Sequence, residues 1–118
     1  MEIGKEIVAF SQSEKIKEGI LWASQLLGIL EGLPPDEKKG GEKLIIALVD
    51  MIGQEIKLAE NVSGNREWEG IDPNLDKAVL MINSGVSSEA SIHLSRALSK
   101  VTNIGQRSMT RLREEGLL

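Results

Sequence analysis

The sequence predicts an all-α fold: an antiparallel four-helix bundle with a short N-terminal helical extension. Apolar residues recur at the three- and four-residue spacing of an α-helix, and no segment alternates with period two for long enough to indicate a strand. Proline and glycine separate the apolar stretches, which sets the helices at about 13–32, 36–62, 73–84 and 88–115. With 118 residues, the chain 1–118 is predicted to be a single helical-bundle domain.

The N-terminal extension is predicted from Ile3, Ile7 and Phe10, which recur at the spacing of a helix. On a helical wheel these residues lie roughly 120–180° away from the apolar stripe that follows them, so one straight helix could not bury both sets. Ser11 and Glu14 have the spacing of a capping box. We therefore expect the extension to be separate from the first long helix.

The boundaries of the helices follow from proline and glycine. Pro34 and Pro35 end the first long helix, because proline disfavours a helical conformation of the preceding residue and cannot continue the hydrogen-bond ladder. Residues 63–71 contain glycine and asparagine without an apolar period and are predicted to be a loop. Pro73 marks the start of the third helix and Gly85 its end.

The first two long helices have more apolar surface than a monomeric bundle needs. Their apolar arcs span roughly 180–200°, whereas a helix packed on one side needs a stripe of about 100°. The excess residues are Trp22 and Ile29 on the first helix and Met51 and Leu58 on the second. We expect these four residues to mediate self-association, giving a homodimer.

Composition excludes several classes of function. The chain has no cysteine, one histidine and three aromatic residues, which leaves no zinc ribbon, disulfide or stacking platform for bases, and we expect no metal and no cofactor. The net charge of −4 disfavours nucleic acid as a partner, and no apolar run reaches the roughly 18 residues of a membrane span. We expect a soluble, cytoplasmic, non-enzymatic protein that acts through protein–protein association.

Glu55 is the first candidate functional residue, because it lies in the middle of the apolar arc of the second helix. A buried carboxylate needs a partner or titrates upward. One interpretation is a general base or ligand site with a raised pKa, in a small enzyme or ligand-binding bundle. The structural interpretation is an ion pair with a cation from another helix, or a polar residue that sets the register at a subunit interface.

The last helix has a basic stripe formed by Arg96, Lys100, Arg107 and Arg111, which share one face at helical spacing. Residues 87–118 carry five Lys or Arg against three Asp or Glu, unlike the acidic remainder of the chain. The stripe could bind an acidic protein partner, pair with acids of neighbouring helices, or face solvent.

His93 is the only histidine of the chain. The segment that begins at His93 is similar to the histidine segment of histidine phosphotransfer domains, with Arg96 three positions on and Ala97 at the fourth. It departs from that family at Ser95, where the family has an aliphatic residue. The resemblance implies a phosphoryl carrier that uses His93, and the structural alternative is an i,i+4 pair between Glu89 and His93.

Trp68 lies in the predicted loop among the acids Glu67, Glu69 and Asp72. An exposed tryptophan in such a loop is a typical contact residue for another protein. It could instead fold down as a lid on the end of the bundle.

Overall fold

The computed structural model describes residues 2–118 and confirms the all-α helical bundle, with four α-helices and no strand in that range. The helices are α1 (Ile3–Glu31), α2 (Pro35–Ser63), α3 (Asp72–Asn83) and α4 (Ser87–Glu114). A short 3-10 helix, Arg66–Gly70, lies between α2 and α3, inside the segment predicted to be a loop. The bundle is 53 Å long and 21 by 18 Å across.

The helices run up, down, up and down, and each packs against its two neighbours around the bundle. Helix α1 contacts α2 and α4, and α3 contacts the same two helices from the opposite corner. Lys15 in the first half of α1 reaches Glu55 in the second half of α2, so these helices are antiparallel. Glu6 near the start of α1 likewise reaches Arg111 near the end of α4.

The predicted break after the N-terminal extension is wrong, because α1 is continuous from Ile3 to Glu31. The helix buries Glu6, Ala9 and Ser13 toward the bundle and leaves Ile3 and Ile7 exposed. The apolar residues of the extension therefore do not need to share a face with the residues that follow, and no separate helix forms.

Glycine allows two close contacts between helices. A Cβ atom on Gly105 of α4 would lie 2.5 Å from Oγ of Ser13 on α1, and one on Gly41 of α2 would lie 2.8 Å from Cδ1 of Leu30. Both distances are shorter than real Cβ contacts, so a larger residue at either position would force the facing side chain to shift. Gly41 thus lies within α2, which begins at Pro35, close to the predicted start at 36.

The core is continuous along the bundle and is made mainly of aliphatic residues. Its largest fully buried members are Trp68, Ile16, Ile20, Ile56, Ile71, Ile82, Leu94, Val49 and Val101. Helix α3, with 12 residues, is less than half as long as the 29-residue α1. The 3-10 helix lies beside the short α3 and contacts α2, α3 and α4.

Along residues 2–118, no helix combines the length and the apolar character that crossing a membrane requires. Within the same range, no three His, Asp or Glu side chains lie together as a metal site would require.

Candidate functional site

The four residues predicted to mediate self-association are all exposed in the single chain. Trp22 is 58% exposed, Ile29 61%, Met51 59% and Leu58 50%. Burying a large apolar side chain lowers the free energy of the system. The exposure of these four residues is therefore unfavourable unless another surface covers them.

These residues belong to one apolar surface, which we call the α1–α2 face. Its exposed members are Trp22, Leu26 and Ile29 of α1 and Leu44, Met51, Leu58 and Val62 of α2. Trp22 and Met51 line one groove of about 550 Å³ between the two helices. Leu26, Ile29 and Leu44 line a second groove of about 160 Å³ toward the other end. Leu58 and Val62 continue the same side of α2, since they follow Met51 by seven and eleven residues.

Helix packing explains why this face stays uncovered. Each of the two helices turns one apolar stripe into the core, through residues such as Ile16 and Ile20 on α1 and Ile52 and Ile56 on α2. The remaining apolar residues lie at the outer edge of the α1–α2 seam. Helices α3 and α4 occupy the opposite side of the bundle and cannot cover that edge.

Glu55 lies within the α1–α2 face as half of an ion pair. Its Oε1 accepts a hydrogen bond from Nζ of Lys15 at 2.9 Å, and its Oε2 accepts one from Nε2 of Gln12 at 3.1 Å. The side chain is 31% exposed. The ion-pair interpretation therefore describes this residue, whose carboxylate is only partly buried.

The general-base interpretation required a raised pKa, and the pKa of Glu55 is shifted in the opposite direction. The hydrogen bond from Lys15, followed by the one from Gln12, holds the pKa of Glu55 below its ordinary value of 4.5. A carboxylate held in its charged form by a neighbouring ammonium is a weak general base, so its geometry does not favour acid–base catalysis. Sequence reasoning missed Lys15 and Gln12; their spacing of three on α1 is the signal that places both on one side of that helix.

Glu60, which follows Glu55 toward the C-terminal end of α2, and Asp72, at the start of α3, have the opposite electrostatics. Burial raises the pKa of Glu60, and the neighbouring Glu69 and Asp72 raise it further, while Arg66 lowers it. Burial also raises the pKa of Asp72, against the opposing charge of Lys57. This end of the bundle thus holds negative charge that the folded protein stabilises poorly.

The pKa shifts of Glu60 and Glu55 predict opposite changes in melting temperature when each glutamate is replaced by glutamine. The raised pKa of Glu60 means that its contribution to stability falls as the pH rises through that pKa. The lowered pKa of Glu55 gives a contribution that is present above pH 4.5 and is lost as the pH falls through the folded value. Glu60→Gln is therefore expected to raise the melting temperature at neutral pH, and Glu55→Gln to lower it.

Thermal unfolding of both variants from neutral to acidic pH measures these shifts. The difference between Glu55→Gln and the parent protein should shrink at acidic pH, where Glu55 is protonated. Shifts of the same sign for the two variants at neutral pH would contradict the assignment.

The basic stripe of α4 is largely engaged within the chain. Nζ of Lys100 donates to the backbone oxygen of Gly70 at 2.8 Å and to Oδ1 of Asn74 at 2.7 Å. Arg107 forms an ion pair with Glu67. Of the four predicted residues, Arg96 alone has no ion pair or side-chain hydrogen bond within residues 2–118. The other three join α4 to neighbouring elements.

Among the ion pairs of the basic stripe, the one formed by Arg111 has the most buried carboxylate, that of Glu6 on α1. Nη1 of Arg111 donates to Oε1 of Glu6 at 2.7 Å, and the Glu6 side chain is only 12% exposed. The other oxygen of Glu6, Oε2, is buried and has no hydrogen-bond partner within the described part of the chain. Arg111 is thus the one ion-pair partner of Glu6 among these residues.

Arg111→Ala is expected to lower the free energy of unfolding by roughly 2–3 kcal/mol, because it leaves a buried carboxylate unpaired. This loss is smaller than that for a fully buried pair, since the Arg111 side chain is 49% exposed. The double variant Glu6→Leu with Arg111→Met should recover most of it. Urea unfolding measures both, with the exposed Arg113→Ala as control; an equal effect of Arg111→Ala and Arg113→Ala would contradict this role.

His93 is partly buried on α4. Its Nδ1 is buried without a hydrogen-bond partner in residues 2–118, and the alternative i,i+4 pair with Glu89 does not form. His93 and Glu55 do not converge in a pocket, because α4 and α2 lie at opposite corners of the bundle and do not contact each other.

Trp68 is fully buried, so its side chain is not a surface contact residue and that interpretation is wrong. The 3-10 helix carries it into the core, and Oδ1 of Asn65 accepts a hydrogen bond from the backbone N–H of Glu67 at 2.9 Å, which fixes the start of that turn. The lid interpretation describes this residue.

The chain matches no known protein-family model, no curated protein and no solved structure. The α1–α2 face groups seven exposed large apolar side chains on two adjacent helices, whereas Trp68 and most of the basic stripe already have partners inside the chain.

Proposed function

We propose that this protein acts through protein–protein association, as a homodimer joined through the α1–α2 face. The observation that carries the proposal is the exposure of Trp22, Ile29, Met51 and Leu58 along one side of two adjacent helices. In a lone chain these side chains would remain in water, and a second copy of the same face would remove them from it.

The size of the face fits a stable dimer. A large apolar side chain presents roughly 200 Å² when fully exposed, and the seven members of the face are about half exposed, which gives on the order of 800 Å². Standard interfaces bury about 800 Å² on each partner. Burial of the whole exposed apolar area of the face would therefore match a standard interface in size.

The charge of the face also suits a second copy. Lys15 and Glu55 carry opposite charges and lie side by side, and Glu18 is the one further charged residue that lines the groove. The face therefore has almost no net charge to repel a copy of itself. The basic stripe supports an acidic partner less well, because Lys100, Arg107 and Arg111 are engaged within the chain.

Sedimentation or light scattering over a range of concentrations tests the proposal. The expected result is a mass of twice the 12.9 kDa chain at micromolar concentration, falling to one chain on dilution. A species of 12.9 kDa throughout that range would refute the dimer. The cytoplasmic location expected from the sequence is part of the proposal and is tested by cell fractionation.

A further inference from the structure

We infer that the two copies are related by a two-fold axis parallel to the long axis of the bundle, so that Lys15 of each copy lies opposite Glu55 of the other. This inference rests on the proposed dimer and specifies how its two faces meet. The Lys15–Glu55 pair is what selects the arrangement.

The levels of the residues along the face follow from contacts between α1 and α2. Lys15 is level with Glu55, because their side chains meet at 2.9 Å. Gly19 is level with Ile52, whose Cγ1 would lie 3.2 Å from a Cβ on the glycine. Continuing this antiparallel register brings Trp22 level with Leu48, less than one helical turn from Met51, and all three line the same groove.

Two symmetric arrangements can bring the faces together, because such an interface uses the same patch on both copies. With the axis parallel to the helices, α1 of one copy lies opposite α2 of the other. With the axis across the helices, α1 lies opposite α1 and α2 opposite α2. The apolar residues accept either arrangement, since each brings apolar side chains against apolar side chains.

The charged pair distinguishes the two arrangements. A parallel axis sets Lys15 against Glu55 of the other copy, so the ion pair is joined by a second one. An axis across the helices at that level sets Lys15 against Lys15 and Glu55 against Glu55, and like charges repel strongly in an interface from which water is excluded.

Sliding the crossed arrangement to the centre of the face, at Trp22, does not relieve this conflict. If its axis passes at the level of Trp22, Lys15 comes to lie opposite Ile29 of the other copy, seven residues away on the far side of the axis. The ion pair would then lose water without gaining a polar partner. The remaining charge, Glu18, is nearly level with the neutral Gln54 under the parallel axis, so it meets no like charge there.

The test mixes the parent protein with the double variant Lys15→Glu with Glu55→Lys. The variant keeps the ion pair between α1 and α2 within each chain, with the charges exchanged, so it is expected to fold and to form its own dimer as the parent does. One of the two proteins carries a mass tag, and native mass spectrometry counts the dimers after the mixture has exchanged at equal concentrations.

Mixed dimers are expected to be rare under the parallel axis. The carboxylate introduced by Lys15→Glu would lie opposite Glu55 of the parent, and the ammonium introduced by Glu55→Lys would lie opposite Lys15 of the parent. Both contacts bring like charges together, so the expected mixed fraction is less than about one tenth, instead of the half given by random pairing.

A mixed fraction of one half or more would overturn the parallel axis while leaving the proposed dimer intact, because the crossed arrangement favours mixing. Two monomeric proteins would overturn the dimer itself. Circular dichroism of each protein is one control. The other is a mixture of tagged and untagged parent protein, in which the fraction of mixed dimers must reach one half.

Discussion

Replacing Met51 with glutamate is expected to dissociate the dimer without unfolding the chain. Met51 is 59% exposed in the single chain, so a charged side chain at this position costs little in the monomer. In the dimer it would be buried in the α1–α2 face, where the loss of a central contact costs at least about 2 kcal/mol per copy. Because the dimer has two-fold symmetry, the substitution is present twice in the interface. The dissociation constant of the dimer is therefore expected to rise on the order of 1,000-fold.

Sedimentation measures this change, and Ile92→Glu is the matched control. Ile92 is exposed to a similar degree, 52%, but lies on α4, outside the α1–α2 face. Its replacement should leave the dimer intact. Equal dissociation constants for the two variants would show that the dimer uses another surface.

Replacing Trp68 with alanine is expected to lower the free energy of unfolding by roughly 3–5 kcal/mol, since it removes a fully buried aromatic side chain and leaves a cavity. That loss is a large part of the roughly 5–15 kcal/mol by which a small domain is stable. Trp68→Phe should cost much less. It removes a buried Nε1 that has no acceptor among residues 2–118, which offsets part of the lost packing.

Denaturant unfolding of each variant at one protein concentration measures these losses. Trp22→Ala in the dissociated Met51→Glu background is the control, because Trp22 is mostly exposed in the single chain. If Trp68→Ala and that control had the same cost, Trp68 would not be a core residue.

The periodicity of the apolar residues was sufficient to predict the four helices. In each helix the core residues recur every three or four positions, and proline or glycine lies close to the ends. The prediction failed at the N-terminus, because it assumed that Ile3 and Ile7 must be buried. Which residues of α1 are buried depends on the helix that packs against them. Gly105 and Arg111 of α4 contact Ser13 and Glu6, so these two residues are buried in place of Ile3 and Ile7.

The candidate site was likewise predictable from the sequence only in part. The excess apolar arcs of the first two long helices are visible in the sequence, because a helix distributes its residues at a fixed angle. The partner of Glu55 is not visible, since Lys15 is 40 residues away and becomes a neighbour only when α2 turns back along α1. Trp68 is similar: its flanking acids indicate exposure, whereas the 3-10 helix turns it into the core.

The helical class, the approximate ends of the helices and the surplus of apolar surface on two of them could all be read from the amino-acid order, because local spacing and backbone stereochemistry fix these features. Packing of the helices was needed to establish which charges pair, which tryptophan is buried, and that Trp22, Ile29, Met51 and Leu58 lie on the outer edge of one seam. These features join residues that are far apart in the chain, so they follow from how the helices assemble and not from any local pattern.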